Sequence, residues 1–104
     1  MQKKETLDSK QQAMDYIDTH AKLFTDVSAA IWRRPELSLK EFEAAKCYCN
    51  VLQENGFEVE TNMGGIATAF CGKYGHGRPV IGFLGEFDAL SGFITTDSSR
   101  FLSY

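Results

Sequence analysis

Two carboxylates two positions apart, Glu86 and Asp88, directly follow the least polar stretch of this chain, Pro79-Val80-Ile81-Gly82-Phe83-Leu84-Gly85. In open α/β sheets, ligands bind beyond the carboxyl ends of the strands. A pair of acids at such a place can ligate a metal, orient another ligand, or work as an acid and a base. The same pair also reads as a solvated loop or a helix cap, and spacing alone does not choose among these.

The other groups with chemical potential are scattered. His20 falls on the flank of a helical pattern beside Tyr16 and Leu23, and His76 sits between glycines in a turn. No spacing argument brings them together, so they read as a surface histidine and a turn residue. Cys47 and Cys49 lie on one helical segment, where positions two apart point about 200° from each other, a poor arrangement for chelating one ion. With Cys71 they make three cysteines and no C-x-x-C pair. They therefore read as small apolar residues, not as a disulfide framework. Gly72-x-x-Gly75-x-Gly77 superficially resembles a phosphate loop, but an apolar strand-like run follows it where an anion would need a helix N-terminus. It reads as a hairpin connection.

The elements that must position these groups are signalled clearly. Ser9-Lys10-Gln11-Gln12 fits a capping box. Beyond it Met14, Ile17, Ala21, Phe24, Ser28 and Ile31 recur at spacings of 3, 4, 3, 4 and 3, and Leu23, Val27 and Ala30 broaden the face. This predicts one amphipathic helix that ends near Arg33-Arg34, before Pro35. Ser38-Leu39-Lys40-Glu41 predicts a second capping box, with a staple between Leu37 and Phe42. That helix should run to Asn55, stop at Gly56 and bury Phe42, Ala45, Cys49 and Leu52. Aromatic residues at 24, 32, 42 and 57 are spaced for packing. Alternation over 57–61 predicts a strand, 62–65 a turn, and 66–74 a second strand. The apolar run 79–85 predicts a third strand covered on both faces. Two helices followed by about three strands define an α/β fold class, the start of a layered domain.

Composition narrows the classes. With 43% hydrophobic and 24% charged residues the chain is neither disordered nor fibrous. A net charge of −3, with Lys3-Lys4 as the longest basic cluster, argues against a nucleic-acid partner. The stretch from Met14 to Trp32 is interrupted by Asp15, Asp18, His20, Lys22 and Asp26, so it is neither a signal segment nor a membrane span. No membrane partner and a cytoplasmic location are the resulting expectations.

Several of these segments together resemble a known family. Ala30-Ile31-Trp32-Arg33-Arg34-Pro35-Glu36-Leu37-Ser38, then Glu41, then Leu52-x-x-x-Gly56-Phe57-x-Val59 looks like the opening of the zinc-dependent peptidases of the aminoacylase and carboxypeptidase type. Gly65-Ile66-Ala67-Thr68-Ala69-Phe70, with Pro79 to Leu90, is similar to the amidohydrolase branch, and within it to the p-aminobenzoyl-glutamate hydrolase type. The match covers roughly residues 10–92.

The resemblance implies a catalytic α/β domain carrying two zinc or manganese ions and hydrolysing amide bonds of N-acyl amino acids or aminobenzoyl-glutamate-like substrates. The peptidase branches end the strand matching 79–85 in His-x-Asp; here those positions are Glu86 and Asp88. By resemblance, Asp88 carries over as an orienting or structural acid, and Glu86 only as the residue at a former ligand position. The amidohydrolase branch takes its early ligands from a later His-x-Cys-Gly-His segment, which these 104 residues do not contain. The expectation is therefore residues 1–92 as the front of a catalytic domain, with 93–104 a divergent tail from truncation or frameshift. Such a fragment would be inactive alone and would hold no metal stably. The alternative is a small non-enzymatic α/β module that associates with a partner, or with itself, through an exposed sheet.

Overall fold

The computed structural model describes residues 2–90, 93–95 and 101–103, with side chains for residues 8–90. Helix α1 spans Gln2–Thr19 and helix α2 spans Ala21–Arg33. The expected single helix is thus longer and interrupted at His20. Its backbone there (φ −105°, ψ 16°) leaves the helical range. The hydrogen bonds still bridge the break, from His20 N–H to Tyr16 O at 2.9 Å and from Phe24 N–H to His20 O at 3.2 Å. Ser9 lies inside α1, so its capping box does not form. The residues that pack are Leu23 and Val27 of the broadening set and Ile31 of the main series, all half-buried, while Ala30, Met14 and Ile17 are exposed. Helix α2 ends before Pro35, as expected.

Helix α3 spans Phe42–Glu54. The box predicted at Ser38 does not form, because the chain turns first. Lys40 N–H bonds to Leu37 O at 2.9 Å, and Leu39 adopts a left-handed φ of 68°. Glu41 occupies the cap position and makes no side-chain capping bond. The staple also fails, since Leu37 and Phe42 are both exposed. Of the expected stripe, Ala45, Cys49 and Leu52 are half-buried, and the buried residue of the helix is instead Ala44. The helix ends as predicted at left-handed Gly56 (φ +87°). Gly56 N–H bonds to Gln53 O at 3.1 Å and Phe57 N–H to Leu52 O at 3.0 Å, closing the last turn.

Strands β1 (Glu58–Thr61) and β2 (Phe70–Lys73) pair antiparallel, with Val59 opposite Gly72. Phe57 and Val59 face inward and Glu58 and Glu60 outward, matching the predicted alternation. The second strand is shorter than expected. A 3-10 turn at Met63–Gly65 and a bond from Ala69 N–H to Ile66 O at 3.0 Å consume its first residues. Side chains of α3 cover the sheet closely: a Cβ on Gly72 would stand 3.0 Å from Leu52 Cδ1.

The third strand is corrected. Residues 79–85 have no regular structure, and Phe83 and Leu84 are each 96% exposed. A central strand needs neighbours for its backbone groups. Among the described residues, strand pairing near this segment comes only further on, at a parallel bridge between Leu37 and Ala89. With no strand there, Gly72 to Gly77 is not a hairpin connection; it leads out of β2 through left-handed Gly75 and Gly77. A separate antiparallel pair joins β3 (Phe93–Thr95) to β4 (Phe101–Ser103), where the sequence carried no readable period. The rest of the expected divergent tail, and Ser91 and Gly92 before it, lie outside the described residues. The fold class is α/β, helices followed by strands, with one strand fewer than expected against α3.

Candidate functional site

Local packing places the segment that carries the two acids. Phe87 is half-buried, its ring 5.4 Å from that of Tyr48 on α3 and 5.7 Å from that of Phe70 on β2. Ala89, also half-buried, donates its N–H to the main-chain oxygen of Glu36 at 2.7 Å. Glu86, Asp88 and Leu90 alternate with these and are exposed. The five residues thus follow a strand-like alternation although only one bridge pairs them.

Glu36 is the residue that the spacing arguments missed. Its carboxylate accepts hydrogen bonds from Glu43 N–H at 2.9 Å and Ala44 N–H at 2.8 Å, capping the start of α3 from outside. A carboxylate there satisfies two orphan donors and faces the positive end of the helix dipole. Next to it, buried Thr68 donates its hydroxyl to Glu41 Oε1 at 3.3 Å, tying the β1–β2 connection to the same helix end. The signal for Glu36 was its place right after Pro35, but a cap acting from six positions before the helix lies outside the local patterns that sequence reading searches.

Between α2 and α3 runs an open apolar groove of about 1020 Å³, lined by Phe24, Ile31, Trp32, Tyr48, Val51 and, at one end, Phe87 to Leu90. Asp88 and Arg34 are its charged lining residues. The structure therefore brings Asp88 to the groove and leaves Glu86 outside it. His20 stacks on Tyr16, with ring centroids 3.9 Å apart, and His76 is exposed beyond β2. Cys47, Cys49 and Cys71 are half-buried free thiols, and burial pushes the Cys49 thiol above its ordinary pKa. Among the described residues no three His, Cys, Asp or Glu side chains gather where an ion could sit. The described residues therefore do not form a two-metal centre by themselves.

With that geometry in view, comparison with known proteins gives the chain its kinship. No protein-family model matches it. The chain is a relative of a hydrolase. It is 41% identical over 78 residues to one of the subunits of p-aminobenzoyl-glutamate hydrolase from Escherichia coli (strain K12). The likeness covers 75% of this chain and 16% of that protein, so the chain spans about a sixth of its relative's length. The resemblance to the p-aminobenzoyl-glutamate hydrolase type read from the sequence is borne out. No helix among the described residues is long and apolar enough to cross a membrane.

Proposed function

We propose that this chain supplies the opening α/β layer of a metal-dependent amidohydrolase acting on aminobenzoyl-glutamate or a similar N-acyl amino acid. The observation that carries this reading is the 41% identity to a hydrolase of that name across three quarters of the chain. In the working protein, zinc or manganese would supply Lewis-acid activation of a water, and residues of other segments would hold the ions. The part of this chain is to present Asp88 as an orienting acid and α2, α3 and β1–β2 as its support. Alone, the chain binds no metal tightly and hydrolyses nothing. The reading also makes the groove between α2 and α3 a surface to be covered, and self-association is the consequence when it is not.

A hybrid enzyme tests this. The aligned stretch of the Escherichia coli relative is replaced by that of this chain, and hydrolysis of p-aminobenzoyl-glutamate is followed with added zinc or manganese. Retained, chelator-sensitive hydrolysis supports the reading, while a folded but inactive hybrid overturns it. Chelator-sensitive hydrolysis by the isolated chain would overturn its expected inactivity.

A further inference from the structure

Asp88 is exposed, and among the described residues no hydrogen bond or ion pair holds its side chain. Its two neighbours in the chain are held instead. Phe87 lies against Tyr48 and Phe70, and Ala89 is bonded to the carbonyl of Glu36. Just before them the chain is unpaired, with Phe83 and Leu84 almost wholly in water. The placement of Asp88 thus depends on anchors that lie downstream of a free segment.

The Glu36 anchor is itself fixed. Its carboxylate takes two N–H groups from the first turn of α3 while its carbonyl takes the Ala89 N–H. A single residue therefore ties the helix, through its side chain, to the acid-bearing segment, through its backbone. We infer that Glu36 is a positioning residue for Asp88: the carboxylate locks residues 36 and 37 onto α3, and this lock sets the register at which Ala89 docks. The alternation over 86–90 makes register decisive, since a slip of one residue would turn Asp88 inward and Phe87 outward.

This inference rests on the reading of function above, and its test separates the two. In the hybrid enzyme, Glu36→Ala should lower kcat about tenfold or more while KM stays within about twofold. Glu36→Gln, which keeps one acceptor, should recover part of the loss. Combined with Asp88→Asn, Glu36→Ala should cost nothing further, because both act through one group. Effects that multiply, or a change in KM alone, would overturn the inference. If Glu36→Ala does not fold, the same cycle is run with Glu36→Gln. On the chain itself, Glu36→Ala should speed hydrogen exchange at the Ala89 amide. Unchanged exchange there overturns the inference whatever the hybrid does, whereas an inactive hybrid with Glu36 intact counts against the proposed function.

Discussion

The Ala44 N–H lies 2.8 Å from Oε1 of Glu36, a residue eight positions earlier, and the Glu43 N–H lies 2.9 Å from the other carboxylate oxygen. Capping of this kind is worth about 0.5–2 kcal/mol. Replacing Glu36 with Ala should loosen the first turn of α3 by about that amount. Amide exchange at Glu43, Ala44 and Ala45 reads the change. Glu36→Gln should lie between, since an amide keeps one acceptor but loses the charge.

Gly56 closes α3 in the left-handed region, at φ +87°, with Tyr74 Cε2 3.5 Å from where a Cβ would stand. The space is sufficient but the backbone angle is not one that alanine favours. Gly56→Ala should therefore cost about 1 kcal/mol. The loss should appear as faster exchange at Phe57, whose N–H closes the last turn on Leu52, and as weakened β1 pairing.

Phe83 and Leu84 make almost no contact within the chain, so changing them should leave its own stability alone. Phe83→Asp with Leu84→Lys should shift local stability by no more than about 0.5 kcal/mol. The pair should lower self-association by the share this exposed apolar run contributes, leaving the share that comes from the groove between α2 and α3. Light scattering over a concentration series distinguishes the variant from the parent, and equal association by both would show that another surface is responsible.

Cys49 should resist alkylation. Its thiol is pushed above the ordinary value of 9.0 by burial, and the thiolate is the reactive form. Its rate with iodoacetamide should therefore rise with pH later than that of a short unfolded peptide of the same sequence. The sign for stability follows. The unfolded thiol ionises first, so above its pKa the native state holds more protons and stability falls with rising pH. Below that range this contribution is fully present; it is lost as pH climbs through the folded value. Cys49→Ser should flatten that part of an alkaline stability profile.

The legible parts of the fold were those set by local periodicity. The end of α2 at Pro35, the glycine stop of α3 and the alternation of β1 each depend on neighbouring residues only. What could not be read was set at a distance. The box at Ser38 has the right residues, but Leu39 turns left-handed and moves the helix start to Phe42, so the capping passes to Glu36. The run 79–85 has the composition of a buried strand, yet strand formation is a property of pairs, and no pairing partner lies beside it among the described residues. The pair Glu86 and Asp88 was legible as chemistry. The difference between them was not: Asp88 lies between Phe87 and the Ala89 anchored on Glu36 and reaches the groove, whereas Glu86 adjoins the unpaired run.

The burial pattern also governs how this chain melts. Ala44 and Thr68, each 4% exposed, are the only buried residues among the described ones. Heat capacity of unfolding and sensitivity to urea both scale with the surface that unfolding newly exposes. A chain in which many large apolar side chains, among them Phe24, Trp32, Phe42, Phe83 and Leu84, already face water has less left to expose. Its calorimetric trace should be shallow, with helix lost gradually and no sharp endotherm. Whatever comes to cover the groove between α2 and α3 would then contribute cooperativity as well as contact area, turning a gradual melt into a single transition.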